Sequence, residues 1–526
     1  MSKSGSGADK MSANERLWLA LAIVLVGIFF YFAFQSVEID HAFEIITNSR
    51  ALYTDEGWYL KLARNINIYG FENIEYDFQH WPAAPVYNLV VTGVFGVFGV
   101  SMEIARIWSV IATVGALLSF FMACRKSLSS EASFFALTLV ASTFLVFHFS
   151  RTALADPTAT FFSMLAVLAY IRWPSSLTGM GISLLLSAVA AMTKSYYIIV
   201  LFVMIFNYSC RIILIPWFVR DKIETSIVIA FAIYISTMVL LYLSYYIIWS
   251  DDIALWTRVT LEAQISDAGY HEDRISQIYR LISRLAVMLA GMLDLKIMIL
   301  SVFGGIVVLF GREIYGRVGR RGNQVTLHWS DIFFLSWAIV GIIVMCVVQH
   351  QRSHYFFSLI FPLAYLAVTV WERALSHKFS VVAVSLVMFG HLYVQAPNYW
   401  AWYARKPDRM LDTAYREIAK VVVEKSDSLS ERSPLIGLVS SSIALYEPRI
   451  IPLEPIWTPR DYSVCDRIRY WRPGYYVLLR GEHTTLMGYN NVQECEVVSG
   501  MNEVGAWSVY PPREEYLVLY ELLIEE

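Results

Sequence analysis

Residues 17–34 have the sequence LWLALAIVLVGIFFYFAF, an apolar run that contains no charged side chain. A helix needs about 20 apolar residues to cross roughly 30 Å of hydrocarbon, so this run predicts a membrane-spanning helix. Further predominantly apolar runs lie at 105–124, 133–149, 158–170, 179–192, 196–218, 227–248, 295–310, 332–348, 355–370 and 381–394. The sequence therefore predicts a polytopic α-helical membrane protein with about eleven transmembrane helices.

The composition of the whole chain supports this class. Of the 526 residues, 57% are hydrophobic and 16% are charged, whereas a soluble protein has roughly 25% charged residues. The apolar runs are continuous, and a transmembrane β-barrel would show weak alternating segments instead. A formal net charge of -3 gives no reason to expect nucleic acid as a partner, because nucleic acid binds clustered basic surfaces.

The distribution of basic residues predicts the orientation in the membrane. The N-terminus is short, polar and lightly basic, and no small-residue cleavage site follows residues 17–34, so we expect an uncleaved first span and a cytoplasmic N-terminus. One more apolar run, 85–100, would leave Arg125 and Lys126 outside if it crossed the bilayer. We therefore place 85–100 along the outer surface, which puts the C-terminus on the outer side. We expect the membrane to be a bacterial inner (plasma) membrane.

The chain divides into two predicted domains. Residues 1–396 form the transmembrane domain with a long first outer loop, 35–104, and residues 397–526 have the composition of a globular domain. A helical pattern near 411–425 and short apolar runs bounded by Pro and Gly predict a small extracytoplasmic α/β domain. Cys465 and Cys495 lie in it, and the sequence leaves open whether they are free or form a disulfide.

Carboxylates occur in two outer segments. Asp55 and Glu56 open an amphipathic stretch, where an adjacent pair can supply a general base or bind a cation. The alternative is that both are N-terminal helix residues favoured by the helix dipole. Asp156 lies in the short second segment, where a carboxylate is costly unless it is paired or functional. Capping of the helix that starts near Pro157 is the alternative for Asp156.

Cations occur on the same predicted face. Arg151 lies in the second outer segment, and Lys194 lies at the outer end of a span, where snorkelling is the alternative. Arg352 and His354 lie between two spans, and the positive-inside bias gives no reason for charge there. A guanidinium suits a bidentate partner such as a lipid phosphate. Carboxylates and cations on one face predict a reaction that deprotonates a hydroxyl and expels a phosphate.

Several short motifs, in order, resemble GT-C membrane glycosyltransferases, most closely the protein O-mannosyltransferase and lipid A aminoarabinose transferase superfamily. They are Asp55-Glu56 with Tyr59, Pro82-x-x-Pro85-x-Tyr87, Ala105-Arg106, Ser150-Arg151 to Asp156-Pro157, Thr193-Lys194, and Arg352 to Tyr355 with Pro362. The resemblance covers about residues 16–371. Each motif is short, and the ordered set on predicted outer loops carries the resemblance.

The resemblance implies a reaction and residue roles. In this family a sugar passes from a polyprenyl monophosphate, with inversion, to a hydroxyl on the outer face, here of a glycan, lipid or protein acceptor. By position, Asp55 is the general base or an acceptor-orienting group, and Asp156 is a second essential carboxylate. The expected donor-phosphate ligands are Lys194, Arg352, Arg151 and His354.

The sequence also departs from the family. Aminoarabinose transferases typically have Glu-Lys-Pro-Pro where this chain has His80-Trp81-Pro82-Ala83, so a carboxylate metal ligand and a phosphate-binding lysine are missing. His80 with His271 remains a candidate site for a divalent metal ion, and no cofactor is required by the sequence. These changes leave the donor sugar and metal dependence open.

Two other classes remain open. A transporter or flippase of lipid-linked sugars would use Lys194 and Asp156 as coupling residues, and a lipid-linked glycan polymerase or ligase would use similar substrates. Nucleotide sugars are cytoplasmic, so an outer active site implies a lipid-linked donor. The glycosyltransferase prediction requires Asp55 and Asp156 to face one cavity.

Overall fold

The structure is a computed structural model with a helical bundle followed by a small mixed-sheet domain. It describes residues 12–37, 55–70, 84–174, 176–214, 225–248, 295–318, 328–347, 356–404, 410–425, 433–437, 439–453, 464–480, 495–510 and 515–524. The helices of the first part are α1 Ala13–Gln35, α2 Asp55–Tyr69, α3 Pro85–Phe98, α4 Met102–Cys124, α5 Ser130–Ala141, α6 Phe144–Ser150, α7 Ala155–Arg172, α8 Leu177–Thr193, α9 Ile198–Ser209, α10 Thr225–Ile248, α11 Lys296–Val318, α12 Trp329–Val347, α13 Phe357–Ala374 and α14 His377–Ala404.

The membrane class predicted from the apolar runs is confirmed. Among the described residues, five helices are long and apolar enough to cross a membrane, and a sixth span results if the bent pair α5–α6 counts as one. Five shorter apolar helices accompany them. The number eleven stays a prediction.

The first helix shows how such a span packs. Its start is fixed by a capping box, in which the Ser12 hydroxyl accepts from the Glu15 N–H and the Glu15 carboxylate accepts from the Ser12 N–H. A narrow stripe along the helix faces the bundle: Ala22, Val26, Phe29 and Ala33. Large apolar side chains on the rest of its surface are exposed, as expected for a helix surrounded by lipid.

The predicted span 133–149 differs from the structure, because it is two helices bent by 63°. The break lies at Ser142 and Thr143. The Gln395 side chain accepts from the Phe144 N–H at 2.8 Å, and the Thr143 hydroxyl donates to the Leu139 carbonyl at 2.7 Å. Side chains thus satisfy backbone groups that the bend takes out of the helical ladder. The short helix α6 then turns the chain toward Ser150–Asp156.

Helix α3 corresponds to the run 85–100 that we place along the outer surface. Its 14 residues span about 21 Å. Tyr87, Asn88, Val91 and Phe95 are buried on one face, whereas Leu89, Val97 and Phe98 are exposed on the other. The placement of this helix along the membrane surface stays a prediction.

The second part of the chain is a mixed α/β domain, as predicted. Its elements are α15 Met410–Lys425, β1 Ser433–Gly437, α16 Ser440–Ala444, β2 Ile450–Leu453, α17 Val464–Trp471, β3 Tyr475–Arg480, β4 Val498–Tyr510 and β5 Glu515–Ile524. The strands form one sheet in the order β2-β1-β3-β5-β4, with β1 parallel to β2 and β3, and β5 antiparallel to β3 and β4.

Helix α15 covers this sheet. Its buried residues recur at helical spacing: Leu411, Ala414, Tyr415, Ile418, Ala419 and Val422. They pack against Leu435 of β1 and Leu517 and Leu519 of β5. The predicted helix near 411–425 is therefore observed. The predicted domain boundary at 396 falls inside α14, which continues to Ala404.

Of the two states left open for the cysteines, the structure has the disulfide Cys465–Cys495. It joins α17 to the residues that lead into β4. Cys495 is buried in a small core with Ile468 and Leu522. The cross-link therefore lies in the sheet domain.

Candidate functional site

The first carboxylate segment forms helix α2, which starts at Asp55. The Asp55 side chain lies outside the described residues. Glu56 is fully buried, and its two oxygens accept from the Arg106 Nε at 3.0 Å and Nη2 at 2.8 Å. One of these oxygens also accepts from the Ala153 N–H at 2.6 Å. Glu56 thus joins α2 to α4 and to the loop before Asp156.

The second carboxylate, Asp156, is paired with Lys194. Its Oδ2 lies 2.6 Å from the Lys194 Nζ, and its Oδ1 accepts from the Tyr196 hydroxyl at 2.9 Å. Asp156 is fully buried, and the Lys194 side chain is 8% exposed. The N-cap of α7 is Leu154, so Asp156 does not cap the helix. A lysine buried against a carboxylate is also not snorkelling.

Local backbone structure brings this pair together. Asp156 lies in the first turn of α7, directly before Pro157, a residue suited to the first helical turn. Lys194 ends α8 in an extended conformation, and a 3₁₀ turn, Ser195–Tyr197, follows. This change of direction sends the Lys194 and Tyr196 side chains to the same carboxylate.

Aromatic rings connect the pair to α2. The Lys194 Nζ lies 5.3 Å from the centre of the Tyr59 ring and 5.9 Å from that of Tyr196. The Tyr59 ring in turn packs edge-on against Tyr87 of α3, with ring centres 5.9 Å apart. Cation–π contacts of this kind stabilise a buried ammonium. Asp55 lies one helical turn before Tyr59, so α2 carries the first carboxylate segment to the Asp156–Lys194 pair.

Arg151 is fully buried between α6 and α1. Its Nη1 donates to the Ser36 carbonyl at 2.9 Å, and its guanidinium lies 5.4 Å from the Phe147 ring centre. These contacts hold the Arg151 side chain in place. Arg151 precedes Asp156 by five residues on the same short segment.

Four predicted site residues lie outside the described residues: His80, His271, Arg352 and His354. The phosphate site shared by Lys194 and Arg352 and the His80–His271 metal site therefore stay predictions. Across the parts of the chain that the structure describes, no group of three or more His, Cys, Asp or Glu residues is arranged to hold a metal ion.

Two buried arginines belong to this region although neither is among the predicted site residues. Arg106 binds Glu56, the Asp412 carboxylate at 3.2 Å and the Val37 carbonyl at 3.1 Å. Its signal in the sequence is a single cation at the start of an apolar run. Arg64 is fully buried in α2, and it donates to main-chain carbonyls of the sheet domain and to the Asn65 and Tyr69 side chains. No motif marks it.

The helical bundle and the mixed-sheet domain that follows it have a GT-C fold. Among solved structures, the chain is similar to ArnT from Cupriavidus metallidurans in the apo state, with a TM-score of 0.54 and 12% identity over 96% of this chain and 97% of that chain. It is also similar to the same protein bound to undecaprenyl phosphate, with a TM-score of 0.57 and 11% identity over 97% and 98% of the two chains.

A third similar structure is the oligosaccharyltransferase of Archaeoglobus fulgidus tethered to an acceptor peptide that contains the NVT sequon. The TM-score is 0.50 at 12% identity, covering 96% of this chain and 74% of that chain. No family model matches the sequence, and no curated protein matches it. The predicted GT-C resemblance is thus confirmed for the fold. Identities of 11–12% show the fold alone.

Proposed function

We propose that the protein is an integral membrane glycosyltransferase. It moves a sugar from a polyprenyl monophosphate, with inversion, to a hydroxyl of a glycan, lipid or protein acceptor. The observation that carries the proposal is the buried Asp156–Lys194 pair beside Tyr59 of α2. It lies in a fold shared with a protein whose solved structure holds undecaprenyl phosphate.

The chemistry is a single displacement at C1 of the sugar. The acceptor hydroxyl gives its proton to Asp55 as its oxygen bonds to C1, and the C1–O bond to phosphate breaks with its electron pair leaving on the phosphate. A positioned carboxylate base contributes about 10²–10⁴-fold. Fixed cations, which we assign to Lys194, Arg151, Arg352 and His354, offset the charge that grows on the phosphate.

Asp156 has a separate role in this proposal. It holds the Lys194 ammonium at 2.6 Å in a buried site, where an unpaired cation would be costly. The Tyr196 hydroxyl on the other oxygen fixes the carboxylate orientation. Lys194 is therefore in place before a phosphate arrives, which reduces the reorganisation that the reaction requires.

The sheet domain supports an outer location of the site. Disulfides persist mainly in oxidising compartments, and Cys465–Cys495 lies in this domain. The domain contacts α2 and the N-terminal end of α4, so these helix parts lie on its side of the membrane. We place this side outside the cytoplasm and the N-terminus inside, in a bacterial inner membrane.

The test uses the full-length protein in proteoliposomes with undecaprenyl-phosphate monosaccharides labelled in the sugar, and with a cell-envelope extract that supplies the hydroxyl acceptors and takes up the label. We expect release of undecaprenyl phosphate, reduced at least about 100-fold by Asp55→Asn and by Asp156→Asn. Asp466→Asn is the matched control, because this carboxylate is exposed on the sheet domain and pairs with Arg469. Movement of the intact labelled lipid across the bilayer without release would contradict the proposal and indicate a flippase.

A further inference from the structure

Arg64 ties α2 to the sheet domain. Its Nε donates to the Ala444 carbonyl at 2.7 Å, and its Nη2 donates to the carbonyls of Ile450 at 2.8 Å and Pro448 at 3.1 Å. The Tyr69 hydroxyl donates to the same Pro448 carbonyl at 2.7 Å. One side chain of α2 is thus bound to the end of α16, the start of β2 and the turn between them.

Burial makes this attachment specific. Arg64 is 0% exposed, and burial lowers the pKa of its guanidinium. A buried guanidinium is costly unless its N–H groups are hydrogen-bonded, and the carbonyls of the sheet domain supply acceptors for them. If the domain moved away from α2, the Nε and Nη2 groups would lose these carbonyl partners.

A glycine allows the two elements to approach closely. A Cβ at Gly57 would lie 2.3 Å from the Ser442 Oγ and 2.4 Å from its backbone nitrogen. Gly57 and Arg64 are seven residues apart, on one face of α2. Leu60, between them, belongs to the same buried cluster as Leu445 of the sheet domain. One whole face of α2 therefore packs on this domain.

Charged pairs fix the domain to α4 as well. Arg106 of α4 binds Asp412 of α15 at 3.2 Å, and Glu103 of α4 binds Arg416 of α15. On each helix the acid precedes the base along the chain. Glu103 can therefore face Arg416 while Arg106 faces Asp412 only when the two helices are aligned in opposite directions. Arg106 also holds Glu56, so the sheet domain and the start of α2 share one guanidinium.

We infer that the sheet domain is the positioning element of the site, which holds α2 in place through Arg64 and Arg106. The inference rests on the proposed function for its catalytic meaning, because α2 carries Asp55. Neither arginine is assigned to the reacting atoms, so both are positioning residues. The Asp156–Lys194 ion pair itself contains no residue of α2 or of the sheet domain.

Hydrogen exchange of the full-length protein in detergent tests the attachment without a substrate. In Arg64→Ala, we expect the α2 amides to exchange at least about tenfold faster, with those of α7 unchanged, because a charged hydrogen-bond donor is lost. Arg469→Ala is the matched control, since this arginine is exposed on the same domain. Unchanged exchange in α2 of Arg64→Ala would overturn the inference.

A charge-reversal cycle remains informative if Arg64→Ala does not fold. Glu103→Arg and Arg416→Glu should each accelerate α2 exchange about two- to fivefold, and the double variant should restore it. A double variant that exchanges as fast as the faster single variant would contradict the domain's role.

Undecaprenyl phosphate separates this inference from the proposed function. Its binding, followed by native mass spectrometry, should be unchanged in Arg64→Ala, while its release from the labelled monosaccharide lipids slows. If the unmodified protein neither binds undecaprenyl phosphate nor releases it, the proposed function fails, and the exchange data still decide the role of the domain. Equal release rates in Arg64→Ala and the unmodified protein would refute positioning.

Discussion

A double-mutant cycle on Asp156 and Lys194 separates the structural role of this pair from its chemical role. The two charged atoms lie 2.6 Å apart, and the side chains are 0% and 8% exposed. Asp156→Asn or Lys194→Met therefore leaves one buried charge without its counter-ion, which costs about 3–5 kcal/mol. Changing both removes both charges and should cost only about 1–2 kcal/mol. The double variant should thus be more stable than either single variant.

Thermal unfolding of the full-length protein in detergent measures this order. The chain contains 16 tryptophans, so intrinsic fluorescence reports unfolding directly. The Asp466–Arg469 pair, at 3.5 Å with side chains 40% and 60% exposed, serves as the control cycle and should be additive within about 0.5 kcal/mol. If the losses at Asp156 and Lys194 also add, the two side chains are not a buried pair.

The transfer assay then decides what the pair does. A double variant that regains stability but releases no undecaprenyl phosphate has lost groups that the reaction needs. A double variant that regains both stability and turnover would show that the pair serves only the fold. In that case the catalytic assignment of Asp156 and the phosphate-binding assignment of Lys194 are both wrong.

Further variants test the contact between α2 and the sheet domain, the membrane topology and the donor phosphate site. Gly57→Ala should lower the free energy of unfolding by about 1–3 kcal/mol, because the new Cβ would lie 2.3 Å from the Ser442 Oγ. Gly27→Ala is the control, since its Cβ would have no heavy atom within 4 Å. A Gly57→Ala variant that melts at the same temperature as the unmodified protein would contradict the close contact. Lys126→Cys should react only with a membrane-permeant maleimide in intact cells, and labelling by an impermeant one would reverse the topology. Arg352→Ala should weaken undecaprenyl phosphate binding more than Arg352→Lys, which keeps the charge without the planar fork; unchanged binding in Arg352→Ala would remove it from the phosphate site.

The sequence predicts those parts of the fold that depend on local composition. The run 17–34 becomes α1 because its length and apolarity alone determine a span. The run 133–149 has similar apolarity but is broken, because Gln395 satisfies the Phe144 N–H across a sequence separation of 251 residues. Apolar pattern carries no information about such a distant partner.

The site shows the same division. Asp156 and Lys194 are recognisable as unusual charges at the ends of apolar runs, but each has a harmless alternative when taken alone. Only the fold shows that they are partners, 38 residues apart in sequence. Arg64 is harder to predict, because its acceptors in the sheet domain are main-chain carbonyls and every residue has one. A side chain that binds carbonyls leaves no complementary signal in the sequence.

The adjacent carboxylates of α2 need not share a role. The Glu56 oxygens already accept two hydrogen bonds from Arg106 and one from the Ala153 N–H, three residues before Asp156. Protonation of Glu56 would weaken the contacts that join α2, α4 and the Asp156 segment. These occupied oxygens favour Glu56 as a positioning residue, although the sequence groups it with the catalytic carboxylates. Asp55 then remains the candidate base, and the network around Glu56 fixes the helix that carries it.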